Sequence, residues 1–218
     1  MIRNYNKKYD GNIKLSDSFR VREFACKDGS DTVIIDDKLV SYLQRIRNWA
    51  GASVIISSGY RTEAYNAKIG GAAHSKHTLG MAADIYVERR QKNIYEIAKY
   101  AEAIGLLGIE RNEDSNYVHV DTRENKYFWY RKNKTDHTVN TFGGRCQHKE
   151  PTHSLKRGST GDGVKWLQFW LRLWGYDVAV DGNYGAHTES AVMYVQRRRG
   201  LTEDGIAGAQ TRKALKGY

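Results

Sequence analysis

The sequence predicts an α+β domain with an antiparallel sheet, followed by a small all-α domain of three helices. Three observations carry this reading. Up to residue 133, helix-like and strand-like segments follow one another without a regular βαβ rhythm. A polar stretch, residues 134–154 (KTDHTVNTFGGRCQHKEPTHS), then holds a Gly-Gly pair and the single proline, Pro151. Beyond it lies an internal repeat, DGxxGxxTxxA, once from Asp181 and again from Asp204. The expected division is therefore 1–133 for the first domain, 134–154 for a linker and 155–218 for the second domain.

The elements follow in order. Asp36-Asp37 precedes Leu39, Val40, Leu43, Ile46 and Trp49, an amphipathic helix with an acidic start. Ser53 to Ser57 is β-branched and strand-like. Arg61 to Ile69 suits a short helix, and Met81 to Val87 a buried strand. Asn93 to Ile104 sets Ile94, Ile97, Ala98, Ala101 and Ile104 on one helical face. Tyr117-Val118-His119-Val120-Asp121 alternates as a strand. In the second domain, Val164, Leu167, Leu171 and Trp174 fall at helical spacing and Gly175 ends the helix. In each repeat, Asp-Gly closes a turn, the second Gly permits a positive φ, and Thr stands in the first turn of the next helix.

Composition narrows the function classes. The 218 residues are 40% hydrophobic and 28% charged, which is globular rather than disordered. The net charge of +10 favours an anionic partner and is spread over both parts of the chain. No stretch reaches the roughly 18 apolar residues of a membrane helix, and Met1 to Lys8 lacks the apolar run of a secretory signal. Synthesis in the cytosol and no membrane insertion are expected. No aromatic–basic recognition motif supports a nucleic-acid partner. Cys26 and Cys146 are too few for a disulfide framework and are expected reduced.

The densest chemistry lies in three strings: Ser58-Gly59-Tyr60-Arg61, Ser75-Lys76-His77-Thr78-Leu79-Gly80-Met81-Ala82-Ala83-Asp84 and His119-Val120-Asp121. A catalytic zinc site needs three protein ligands and an open position for water. His77, Asp84 and His119 are one such set, with Gly80 allowing the chain to turn between the first two. Each residue also has an ordinary reading: a surface or capped histidine, a strand-end carboxylate, a satisfied core histidine. Spacing does not decide whether the three meet. His74 reads as a surface loop histidine.

SGYR, then SxHxxGxAxD, then YVHVD resembles the zinc D-Ala-D-Ala carboxypeptidase family of peptidoglycan peptidases, over roughly residues 15–130. That family shares its zinc fold with hedgehog signalling domains and with phage L-alanyl-D-glutamate endolysins. The resemblance implies zinc held by His77, Asp84 and His119. It also implies a substrate oxygen held by Arg61, and Ser75 beside the substrate. It departs at the general base. Relatives place an acid three residues before the last His, or a His two before it; here those positions hold Asn116 and Tyr117. An amide accepts no proton from water, and neutral tyrosine is a poor base near pH 7. Asp121 is the first candidate because it shares a strand face with His119, with Asp114 and Glu113 behind it. The competing role for Asp121 is to orient His119 or Arg123.

Residues 155–218 resemble the three-helix peptidoglycan-binding domain appended to many cell-wall hydrolases. Leu167, Leu171, Val192 and Val195 read as its core. Trp166, Phe169 and Trp170 read as packing rather than sugar-stacking aromatics, and Arg197-Arg198-Arg199 as a solvated helix face. Together the two resemblances imply an endolysin-like zinc peptidase that acts at the bacterial wall after release or export; the resemblances do not give its oligomeric state, and a monomer is expected. A non-catalytic wall-binding module with a structural zinc site is the alternative.

Overall fold

The computed structural model describes residues 1–218 apart from the side chain of Arg90. The chain forms two compact units, Met1–Gly144 and Arg145–Tyr218.

The first unit opens with a two-stranded antiparallel ribbon of β1 (Ile2–Asn6) and β2 (Thr32–Asp36), with the short helix α1 (Lys7–Asp10) between them. Then come α2 (Asp37–Ala50), β3 (Val54–Ser58), α3 (Glu63–Lys68), β4 (Ala82–Val87), α4 (Ile94–Ala103), β5 (Gly108–Asn112), β6 (Tyr117–Asp121), β7 (Tyr127–Lys132) and β8 (Thr135–Val139). The last six strands form one sheet in the order β3-β4-β6-β5-β7-β8. Every neighbouring pair is antiparallel except β5 and β7. The mixed fold and the antiparallel-rich sheet agree with the sequence expectation.

Local rules explain the elements. Asp36 caps α2 by accepting from the Lys38 N–H, and Gly51 ends the helix at φ 65°; such a cap is worth about 1 kcal/mol. Leu39, Val40, Leu43, Ile46 and Trp49 are buried, as their spacing predicts. Asn93 and Glu96 form a capping box on α4. Tyr100 of α4 stacks on Trp49 of α2 with centroids 4.2 Å apart, a contact worth roughly 1 kcal/mol beyond its buried area. Helix α4 packs on β5 and β6, where Ile109, Val118 and Val120 are fully buried. Because strand side chains alternate, the other face receives Tyr117, His119, Asp121, Glu110 and Asn112. That polar face carries the chemistry.

The segment expected to be a linker is divided between the two units. Thr135–Val139 is the edge strand β8, joined to β7 through Asn133 and Lys134, both at positive φ as a two-residue hairpin turn requires. Its side chains are almost all exposed, so it shows no apolar alternation from which a strand is read. In the second unit, His148 Nδ1 and the Lys149 N–H bond to the Asp162 carboxylate at 2.7 and 2.8 Å. The buried Pro151 lies where a side chain at Gly163 would stand. Cys26 and Cys146 are free thiols.

The second unit is three helices, α5 (Asp162–Leu173), α6 (Ala186–Arg198) and α7 (Ala209–Leu215). Leu167, Leu171, Val192, Val195 and Leu215 are fully buried, and Trp166 and Trp170 are buried as well. The repeat has a partner that its own pattern does not contain. Gln168 Nε2 donates to Asp181 Oδ1, the Asn183 carbonyl and Thr188 Oγ1, while its Oε1 accepts from the Gly182 N–H. Gln196 makes the same four bonds to Asp204, the Ile206 carbonyl, Thr211 and Gly205. A buried amide is thus satisfied twice by the same turn. No helix among the described residues is long and apolar enough to cross a membrane.

Candidate metal centre

His119 lies at the centre of β6, where Asp84 of β4 and Glu110 of β5 are its Cα partners on either side. Across the pleat these three share one face. His77 arrives from the loop before β4. That loop is held by the Gly80 N–H on the His77 carbonyl and the Met81 N–H on the Lys76 carbonyl. Gly80 sits at φ +69°, and a Cβ there would meet the Ile34 carbonyl at 2.3 Å, so glycine is required both for the turn and for the close approach.

The three expected ligands converge. His77 Nε2, Asp84 Oδ1 and His119 Nδ1 lie 3.2, 2.9 and 3.1 Å from one another, taken in pairs. All three residues are buried. The outer nitrogens fix the tautomers. His77 Nδ1 donates to the Gly59 carbonyl at 2.7 Å, and His119 Nε2 donates to Asp121 Oδ2 at 3.1 Å. Each imidazole therefore turns a lone pair inward, onto the other and onto a carboxylate oxygen. Three facing acceptors repel one another unless a cation lies between them, and that geometry fits a metal ion. Two nitrogens and one oxygen suit zinc better than calcium or magnesium, which prefer oxygen ligands.

The electrostatics agree. Burial opposes charge on Asp84, yet the two imidazoles hold its carboxyl well below the usual range. Burial pushes the pKa of His77 below the ordinary imidazole value. Burial also works against a charged His119, but its bonds to Asp121 and Asp84 outweigh it and push the pKa up to about 9. Without a metal the carboxylates therefore draw a proton onto His119, and the inward lone pair described above belongs to the form in which a metal ion takes that proton's place.

The surrounding residues hold the ligands in place. Arg61 donates from Nη2 to Asp84 Oδ2 at 2.6 Å and from Nε to Ser58 Oγ at 2.8 Å. Ser75 Oγ accepts from the His77 N–H at 3.3 Å. Asp121 is 0% exposed, and Arg123 grips both of its oxygens. A Cβ on Gly108, its partner on β5, would fall 2.1 Å from Asp121 Oδ1, so the glycine makes room for the carboxylate.

Asp121, the first candidate for the base, bonds the outer nitrogen of His119 and faces away from the converging lone pairs, the position expected for its competing role of orienting His119. Asp114 accepts the N–H groups of Asn133 and Lys134, both at 2.7 Å, and ties down the β7–β8 hairpin. Glu113 pairs with Arg111 and Lys132. His74 is exposed on its loop. A further carboxylate on this face is Glu110, which the sequence reading missed. It is buried, and Asn112 Nδ2 donates to its Oε1 at 2.8 Å. Burial pushes its carboxyl above the usual range, and the charge of Asp84 adds to this. Its signal lay in strand pairing, nine residues before His119, where no spacing motif looks. Trp129 of β7 continues the row, with its ring 5.5 Å from that of His119.

Residues 14–121 match the Peptidase M15 family model, and residues 160–215 match that of the putative peptidoglycan binding domain. A probable N-acetylmuramoyl-L-alanine amidase of Bacillus licheniformis is 42% identical over 64 residues, 28% of this chain and 18% of that protein. A zinc D-Ala-D-Ala carboxypeptidase of Streptomyces albus G is 41% identical over 63 residues, 27% of this chain and 24% of that protein. The chain thus spans less than a quarter of either relative's length. Among solved structures, a Burkholderia AP3 phage endolysin matches at 40% identity, covering 29% of this chain and 24% of that one, with a TM-score of 0.28. A peptidoglycan-binding protein from Clostridioides difficile, in complex with glutamine hydroxamate, matches at 38% identity over 30% of this chain and 41% of that one, with a TM-score of 0.29. Given the inward-facing ligand triad and the two family models, the chain joins a Peptidase M15 domain to a peptidoglycan-binding domain.

Proposed function

We propose that the chain is a zinc-dependent peptidoglycan hydrolase that cleaves a peptide bond in cell-wall stem peptides, held on the wall by its second unit. The observation that carries this is the convergence of His77 Nε2, Asp84 Oδ1 and His119 Nδ1 with both outer imidazole nitrogens already bonded. Zinc supplies Lewis acidity, bringing the pKa of a water to about 7 and polarising the scissile carbonyl.

The chain's own residues do the rest. The Gly59 carbonyl and Asp121 hold the two imidazoles in the ligating tautomer. Arg61 fixes the outer oxygen of Asp84. Among the described residues no hydrogen bond uses its Nη1, which is left for a substrate oxygen or a developing oxyanion. Glu110 takes the proton of the attacking water and returns it to the leaving amine; its raised pKa suits both directions of transfer. Asn112 keeps its carboxylate aimed. Ser75 sits beside the substrate on the loop that presents His77. A carboxylate on this face supports hydrolysis over a purely structural metal site. The second unit raises the local concentration of enzyme at the wall.

Replacing His77 with Ala should abolish both turbidity loss on purified cell walls and stoichiometric zinc in the purified protein. Unchanged lysis would sink the reading. Mass spectrometry of the released muropeptides identifies the bond.

A further inference from the structure

The polar face of the sheet ends, beside the triad, in a pocket that the chemistry above leaves unused. It encloses about 530 Å³, and its lining includes Lys76, Met81, Arg123, Glu124, Lys126 and Tyr127. The walls come from the His77 loop, the chain leaving β6 and the start of β7. Met81 leads into Ala82, which pairs with Asp121, and Asp84 lies two residues further along β4. At a strand rise of about 3.3 Å per residue, Met81 at the pocket's edge lies roughly 10 Å along the strand from Asp84. Two residues of extended peptide and a carboxylate-bearing side chain together span that distance.

Its charge is one-sided: Asp121 balances Arg123, and Lys76 and Lys126 stand against Glu124. Arg123 is shared with Asp121, and its guanidinium carbon lies 5.2 Å from the Tyr127 ring and 5.4 Å from the Trp129 ring, so it forms a rigid wall. Among the described residues Lys126 Nζ bonds a neutral acceptor, the Asn140 carbonyl, at 3.1 Å, and no carboxylate. Lys76 stands next to His77 in the chain, and among the described residues no carboxylate pairs with its ammonium. Unbalanced positive charge in a partly enclosed pocket selects an anion.

We infer that this pocket receives a free carboxylate of the stem peptide, one or two residues from the scissile bond, and that the enzyme therefore prefers stems in which that group is an acid over stems in which it is a carboxamide. This rests on the peptidase reading. It assigns Lys76 as a specificity residue and Glu124 as its opponent.

The test uses matched synthetic stem peptides that differ only by acid or amide at each acidic position. KM and kcat are measured with the zinc-loaded full chain. At one position the acid form should show a KM about tenfold lower, with kcat little changed. Lys76→Gln should remove most of that difference without changing KM for the amide form, and Glu124→Gln should widen it. A KM ratio near one at every position, or a ratio untouched by Lys76→Gln, overturns the inference. Calorimetric binding of the same pairs to the Glu110→Gln chain separates the two readings. Preference for the acid form without any cleavage by the unaltered chain would refute the peptidase and spare the pocket.

Discussion

Besides the ligand Asp84, two carboxylates flank His119, and the proposed function divides the work between them. Glu110→Gln should lower kcat by about 10²–10⁴ and leave bound zinc unchanged by elemental analysis. Asp121→Asn should instead weaken zinc affinity by about 10–100-fold, with activity recovering as zinc is added. If the two variants exchange these signatures, the assignment of roles is wrong. The pH profile follows from the same residue. The base acts as a carboxylate, so its raised pKa means that activity is full above that value. On zinc-saturated protein, kcat/KM should fall with acid at a pH above the roughly 4.3 of an ordinary glutamate. The Glu110→Gln chain should lack that limb. The ligands were legible in the sequence because His77 and Asp84 share a short motif and His119 alternates on an obvious strand. The proposed base was not, because Glu110 lies on a neighbouring strand and comes beside His119 through register, and register is a property of pairing rather than of one segment.

Individual elements show the same division. The helices α2 and α4 and the strands β3, β4 and β6 stand close to where periodicity places them. β1, β2, β5, β7 and β8 were not read. β5 carries Glu110, Arg111 and Asn112, which disguise its single core residue Ile109. β8 is an exposed edge. At Gly108 a strand position is set by a side chain on the next strand. Gly108→Ala should drive Asp121 off its seat and destabilise the first unit by about 1–3 kcal/mol, seen as a lower Tm in the metal-free protein. An unchanged Tm and unchanged zinc affinity would show that the sheet gives way at no cost. The loop before β4 depends on Gly80 in the same manner, at its crossing of the Ile34 carbonyl.

For the whole molecule, the relevant quantity is charge. The excess of +10 is spread over both units, and an anionic wall polymer attracts it at long range. The catalytically silent His77→Ala chain should co-sediment with walls at low salt and be released progressively towards 1 M, where the screening length falls from about 10 Å to about 3 Å. Retention independent of salt would assign wall binding to uncharged contacts in the second unit. The two-part organisation was legible from composition, but the boundary was not. A polar edge strand and a polar connector have the same composition, and only hydrogen bonding tells them apart.

The paired glutamines of the second unit carry one more consequence. Each reads the turn that follows its own helix, so every repeat is completed by the one before it. Such a scheme could in principle run on as an open array. Here the chain seals both ends: Leu155 bridges Ala207, and Thr160 bridges Asn183. The segment ahead of the first helix is thereby spent on the turn of the last. One short lead-in, residues 155–160, thus touches the turns of both repeats and ties the first to the last.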